Sequence, residues 1–324
     1  MSRNHNIDAL RIAAAAAVVA LHVASSCMSN NVPAPDAAVN AALNCVHLLM
    51  RWATPVFFTI TGYCLTAKEQ CTYKYCFSRV LRYVSVLFTV GLLYGLMEEI
   101  YAAGRLDGPI AAAAVLRVFS GRLWDHMWFV YAIIGVYLVM PVLHPFLRSS
   151  RSNALVLTGL LCFFTVLCPA VSAWLPIGIQ FPFGGYLFYV CFGALVAQGF
   201  VSRRAQTLCC IAGAIAALWM ALSPNKDPFF YLHPLVVLMS MGIFLLALRL
   251  KIRPTKGMLQ WSACTWGIYL LHPLFINIAF RVLRMDFVSS LPQVKLPVFA
   301  AVVFLLSYLT TRLLRRIPYG KYLF

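Results

Sequence analysis

Acidic residues are scarce in this chain: only 9 of its 324 residues are Asp or Glu, against 26 Lys and Arg. Charged residues of both signs make up 11%, where an average soluble domain carries about 25%. With 62% hydrophobic residues and a mean hydropathy of +0.83, such a chain cannot cover itself with polar surface in water. A long polar, Gly/Ser-rich or Pro-rich linker is missing, as is any internal repeat, so residues 1–324 read as a single membrane domain with no water-soluble domain of its own. The first apolar stretch has neither a preceding basic n-region nor a small-residue cleavage site after it, which predicts a retained first span and not a signal peptide. The 11 Cys contain no C-x-x-C pair and fall mostly inside apolar runs, as with Cys64, Cys162, Cys191 and Cys264. That excludes a disulfide frame and a metal site, and leaves them as small reduced core residues.

What is present is a series of apolar runs near 7–28, 40–66, 80–101, 126–147, 153–172, 183–200, 206–222, 229–250, 261–282 and 296–317. A hydrocarbon core of about 30 Å asks for roughly 17–25 apolar residues per helix, so the expected fold is all-α, a polytopic helical bundle of about ten spans. The segment 108–119 is apolar but too short to cross, and reads as a surface or re-entrant helix.

The net charge of +17 would suggest nucleic acid in a soluble protein. In a membrane protein, basic residues collect on the cytoplasmic side, and no nucleic-acid partner is expected. With the N-terminus inside, every inside connection carries basic residues, from Arg3 and the group Lys68, Lys74, Arg79 and Arg82 to Arg312, Arg315, Arg316 and Lys321. The outside receives Arg105, Arg117, Arg122, Lys226, Arg281, Arg284 and Lys295, and the outside connections near 29–39 and 173–182 carry none. This asymmetry predicts both termini in the cytoplasm.

Ionisable groups within the spans are costly unless paired or facing water, so each is a candidate for function. Arg11 and His22 share the first helix at a separation of eleven residues, three turns plus about 20° and a rise of roughly 16 Å. Both therefore lie on one face, Arg11 near the cytoplasmic entrance and His22 deeper. Arg11 alone could be an interfacial arginine paired with Asp8 one turn earlier, and His22 alone an interhelical hydrogen bond; imidazole is also the usual general base near neutral pH. In the second run His47 and Arg51 are one turn apart, followed by Trp52 and Pro55, and Arg51 needs an anionic partner, expected to be Glu98 or Glu99 or else a ligand. Arg79 and Arg82 occupy neighbouring positions of one helix face, where two guanidinium forks can clamp phosphates or simply anchor the span. His126 and Trp128 open the fourth span and His272 closes the stretch GIYLLHP; Trp128 suits an interfacial belt, and the two histidines suit function or packing equally.

The stretches IDALRIAAAAAVVALH (7–22), RWATPVFFTITGYCL (51–65), SRVLRY (78–83), HMWFVYAIIGVYLVMPVL (126–143) and WGIYLLHPL (266–274) resemble the acyltransferase-3 family of membrane acyltransferases, in order and across most of the chain. Within it the sequence is most similar to short, stand-alone bacterial members that O-acetylate surface glycans. The resemblance implies an inner-membrane enzyme with no tightly bound cofactor. It implies an acyl-CoA donor, acetyl-CoA above all, taken from the cytoplasm, and an acceptor hydroxyl on a lipid-linked or cell-envelope glycan reached from the other side. It puts His22 and Arg11 at the reaction centre and Arg79 and Arg82 at the donor site, with Arg51, His47, His126, Trp128 and His272 as further pocket residues. Some relatives carry an acid in a late helix; the late spans here have no Asp or Glu, and the appended hydrolase domain of larger members is missing.

Two other classes compete with the enzyme. A transporter or exporter of a small anionic or glycan substrate would also suit many spans with buried Arg and His, although an inverted repeat and intramembrane acids for ion coupling are lacking. A membrane module serving a separate enzyme is the third.

Overall fold

The computed structural model describes residues 4–69, 71–104, 107–172, 185–223 and 230–324. Arg3, Arg105 and Lys226, the connection 173–182 and the first two residues of the run 183–200 lie outside the described residues. Every regular element among the described residues is helical.

Among the described residues, seven helices are long and apolar enough to cross a membrane. They are α1 (His5–Asn30), α4 (Tyr73–Ala103), α6 (Asp125–Ser149), α7 (Arg151–Ser172), α9 (Arg203–Leu222), α11 (Lys256–Val282) and α12 (Pro292–Leu314). Shorter helices lie between them: α2 (Ala37–Leu49), α3 (Ala53–Thr66), α5 (Gly108–Ser120), α8 (Leu187–Ala197) and α10 (Pro234–Arg249), with α13 (Pro318–Leu323) closing the chain. Seven of the ten apolar runs thus become long helices, and the run 108–119 forms a short one packed on α4.

The run 40–66 differs from a single span. It breaks at residues 50–52 into α2 and α3, and proline chemistry explains why. Pro55 has no N–H to give the carbonyl of Arg51 four residues back, and its ring crowds that carbonyl. The chain turns instead, with Arg51 N–H donating to Leu48 O at 3.2 Å and Ala53 N–H to Met50 O at 3.2 Å.

α1 and α11 are the innermost spans, with 61% and 67% of their most apolar windows buried, against 17% for α9. The residues that face out of α9 are Leu208, Ile211, Ile215, Leu218 and Leu222, an exposed stripe at helical spacing that suits lipid and not water. α1 packs against α2, α3, α10, α11 and α12, so it is the axis of the bundle. The close crossing of α3 and α8 depends on Gly62 and Gly193, where a Cβ would overlap the carbonyl oxygens of Val190 and Thr59 respectively.

Both ends of the described chain meet at one end of the bundle. Asn6 Nδ2 donates to Leu248 O at 3.0 Å, and Trp266 Nε1 donates to Leu323 O at 3.0 Å. At the opposite end Asn31, just after α1, donates to Asp286 Oδ1 at 2.9 Å in the loop between α11 and α12.

Candidate functional site

Two cavities enter the bundle, and α1 reaches both. The larger, about 540 Å³, opens at the end where the chain termini meet, and its wall includes Arg11, Lys68, Arg79, Arg82, Arg315 and Lys321, with no Asp or Glu among the described lining residues. Helix geometry supplies the central pair: Arg79 and Arg82 lie three residues apart on α4 and so project from neighbouring positions of one face. Arg82 Nε is buried and has no hydrogen-bond partner among the described residues, so this wall carries an unused donor. Arg79 lies over the Tyr75 ring at 5.2 Å, and Lys68 Nζ over the same ring at 3.7 Å. Deeper in, the wall turns aromatic. Tyr83 meets Trp266 at 5.2 Å between centroids, Trp266 stacks on Tyr269 at 5.5 Å, and Tyr269 and Phe129 form the floor at 5.4 Å from each other.

Arg11 sits on this cavity and is partly committed. It approaches Asp8 at 4.0 Å and donates from Nη2 to Cys64 Sγ at 3.7 Å. Asp8 is 2% exposed and also accepts from Ser262 Oγ at 2.7 Å, which ties α1 to α11. The pairing expected one turn before Arg11 is therefore present, and the arginine still faces the cavity.

The second cavity, about 280 Å³, opens at the other end, and His22 lines it with Ser25, Ser26 and Ser29. Those spacings of three, four and seven put the serines on the His22 face of α1. At the base three imidazoles cluster: His22 and His272 at 5.1 Å between ring centroids, His126 and His272 at 5.6 Å, His22 and His126 at 6.4 Å. His126 and His272 are 3% and 0% exposed, and the Nε2 of each lacks a hydrogen-bond partner among the described residues. The Nδ1 of His272 lies 3.1 Å from the Ile268 carbonyl. A carbonyl only accepts, so that nitrogen carries the proton and Nε2 keeps its lone pair in the neutral ring.

Above the histidines the cavity is polar and carries charges of both signs, with Arg122 and Asp125 on its wall beside two ion pairs. Glu98 accepts from Arg281 at 2.7 Å and from Trp124 Nε1 at 3.0 Å, and Trp124 stacks on Tyr94 at 4.1 Å. Glu99 is held by Arg117.

These pairs correct one expectation. Glu98 and Glu99 do not serve Arg51, because the arginines of α11 and α5 reach them first. Arg51 lies instead in the break between α2 and α3 with its guanidinium over the Tyr231 ring at 5.6 Å, and Tyr231 meets Trp128 at 5.3 Å. Arg51 and Trp128 thus gather around Tyr231 and line neither cavity, while His47, one turn before Arg51, stands on the same arm.

A wall one aromatic ring thick separates the cavities. Tyr269, on the floor of the first, donates its hydroxyl to the backbone oxygen of His126 in the second, with ring centroids 5.6 Å apart. No residue lines both. Expected site residues therefore sort into three places. Arg11, Arg79 and Arg82 share the basic cavity; His22, His126 and His272 share the histidine cluster; and Arg51, His47 and Trp128 line neither cavity, although Arg51 and His47 lie near enough to His22 to interact with it electrostatically. Lys68, Arg315 and Lys321 were legible only as cytoplasmic anchors, and Glu98 with Arg281 as charges on separate helices.

Among the described residues no group of His, Cys, Asp and Glu is arranged to hold a metal ion. Residues 4–312 match the family model described as an acyltransferase domain. No curated protein and no solved structure matches the chain.

Proposed function

From its membership of the acyltransferase-3 family, which makes this chain a membrane acyltransferase, we propose that it moves an acyl group, most simply acetyl, from a coenzyme A thioester to a hydroxyl of a cell-envelope or lipid-linked glycan. One observation carries the reading: an acid-free, cation-lined cavity ends one ring away from a histidine cluster that lines a separate polar cavity. A polyphosphate would be drawn to the first and a hydroxyl-rich acceptor to the second. The basic end is then the cytoplasmic one, and the membrane is the bacterial inner membrane.

The chemistry follows from the groups present. A hydroxyl is a poor nucleophile, so His22 takes its proton as the oxygen attacks the thioester carbonyl. The carbon–sulfur bond breaks, the thiolate of coenzyme A leaves, and the imidazolium returns the proton to sulfur. His272, with its lone pair on Nε2, is suited to hold a neutral His22 in one tautomer. Arg79 and Arg82 grip phosphate, and Arg11 stands between them and the reaction centre. The rise from Arg11 to His22, roughly 16 Å, is comparable to a stretched pantetheine arm, so a donor held by its phosphates can bring its acyl group to the Tyr269 wall, whose ring has to turn aside for the thioester to meet His22.

The test is acetyl transfer from labelled acetyl-CoA by the purified protein and its His22→Ala variant, with donor affinity measured in parallel. Loss of a positioned base costs roughly 10²–10⁴ in rate, so transfer should fall by that factor while acetyl-CoA still binds. Transfer near the wild-type rate would make His22 a packing residue and remove the mechanism. Absence of any transfer by wild-type protein across a panel of envelope glycans, with solute moving across vesicles instead, would favour a transporter.

A further inference from the structure

The family match ends at residue 312, yet the chain beyond it supplies Arg315, Lys321 and Phe324 to the wall of the basic cavity. This tail is folded against the body. α13 packs on α4; Trp266 Nε1 holds the Leu323 carbonyl at 3.0 Å, and Arg315 donates to the Ala263 carbonyl and to the backbone oxygen of Phe324. Gly320 is buried where the tail turns back, and a Cβ there would overlap the Leu314 carbonyl oxygen.

Between α4 and α13 lies a smaller cavity of about 280 Å³, lined by Ser78, Arg79, Leu81, Arg82, Lys321 and Tyr322. Arg79, Arg82 and Lys321 line this cavity and the large one alike. Three cations therefore stand at the junction, no Asp or Glu is among the described residues lining either side, and the buried Nε of Arg82 is a donor without a partner among the described residues. Beyond the cations the side cavity offers a ring and an aliphatic surface, Tyr322 and Leu81, both substantially exposed. The order along this path is apolar arm, cations, aromatic patch.

We propose that the side cavity is the nucleotide subsite of the donor: the base lies against Tyr322 and Leu81, the diphosphate spans Arg79 and Arg82 at the junction, and Lys321 takes the phosphate borne by the ribose. The proposal rests on the reading of a coenzyme A thioester as donor and adds that the tail, outside the family match, selects for the phosphorylated nucleoside. Lys321 is exposed and on a flexible stem, as a point-charge contact to a solvent-facing phosphate requires.

The experiment compares coenzyme A with dephospho-coenzyme A, which lacks only the ribose phosphate, by calorimetric titration of the full chain in detergent. Wild-type protein should prefer coenzyme A by roughly tenfold, the effect of one charge-assisted phosphate contact. Lys321→Ala should lose that preference by weakening coenzyme A alone, and Lys321→Arg should restore it. Tyr322→Ala should weaken both ligands equally. Equal affinity of wild-type protein for the two ligands, or an unchanged preference in Lys321→Ala, overturns the subsite and leaves the donor reading standing. Failure of wild-type protein to bind either ligand overturns both.

Discussion

The two cavities handle charge in opposite ways. In the basic cavity Arg79, Arg82, Arg315, Lys321 and Lys68 face a shared space with no Asp or Glu side chain among the described lining residues, whereas at the histidine cavity Glu98 is matched by Arg281 and Glu99 by Arg117. Like charges in a confined space repel unless something anionic joins them, so the first arrangement is incomplete without a ligand. The second carries charges of both signs: two of its arginines are paired with Glu98 and Glu99, and what else lines it is Arg122 and Asp125 with hydroxyls, amides, aromatic edges and imidazoles. One end is built for a polyanion and the other for a neutral, hydrogen-bonding molecule.

The largest effect that would break this contrast comes from removing the α4 pair. Each guanidinium makes charge-assisted bonds to phosphate worth roughly 1.5–3 kcal/mol, so Arg79→Ala with Arg82→Ala should weaken coenzyme A binding by about 10²-fold or more. Acceptor KM should stay unchanged. Titration of the double variant checks this, and wild-type affinity in a folded protein would return both arginines to membrane anchoring. High salt should mimic the loss in part, because the cavity mouth is open to water.

Next in size is the wall between the cavities. Tyr269 is buried, stacked on Trp266 and tied by its hydroxyl to the His126 backbone, so it stands between the two cavities. Tyr269→Ala should raise hydrolysis of acetyl-CoA in the absence of acceptor several-fold while lowering transfer, as expected when a reacting centre loses its exclusion of water. Thiol release without acceptor is the readout. Unchanged hydrolysis would mean that the wall is not what separates donor from solvent.

These two ends were not equally legible in the sequence. The Arg11, His22, Arg79 and Arg82 spacings are local, set by 3.6 residues per turn, and a single helix carries each pair; Arg79 and Arg82 line one cavity together, whereas Arg11 and His22 line different ones. The single-span reading of 40–66 failed because hydropathy does not register the missing N–H of Pro55. Of the partners expected for Arg51, the carboxylates fail for another reason and a ligand stays open: Glu98 and Glu99 lie on α4, but which arginine reaches them depends on how α5 and α11 pack beside it, and sequence separations of 183 and 18 residues carry no such information. The tail cations read as anchors because nothing local says that α13 folds back on α4. Ser25, Ser26 and Ser29 were readable, since they repeat the His22 face at three, four and seven residues.

A smaller effect sharpens the neutral character of the histidine end. Glu98→Gln keeps the shape and an acceptor for Trp124 but leaves Arg281 uncompensated. The pair is about one third exposed on each side, so the stability change should be under about 1 kcal/mol. Its consequence belongs to the ligand: acceptor KM should rise several-fold with donor affinity unchanged, and an anionic acceptor should gain relative to a neutral one. Kinetics with neutral and acidic glycans would show it, and an equal change for both would mean that Glu98 acts only on the fold.

The smallest effect concerns the loop that fastens the histidine end outside the spans. Asp286 accepts from Asn31 Nδ2 at 2.9 Å, from the Val288 N–H at 3.0 Å and from the Ser289 N–H at 3.2 Å. Hydrogen bonds from the Ser289 and Asn31 side chains, with those backbone donors, hold its carboxyl well below the usual carboxylate range. Its folded value lies below the unfolded one, so the contribution is fully present above about pH 4, the ordinary aspartate value, and is lost only as the pH falls through the lowered value. Thermal melts should therefore be flat in this contribution from pH 8 to pH 5, and Asp286→Asn should shift them by the same small amount at both ends of that range. A shift confined to pH 8 would mean that the Asp286 carboxyl titrates between pH 5 and pH 8, raised and not lowered, and that the end of α1, about two turns past His22 in the chain, is fastened by something else.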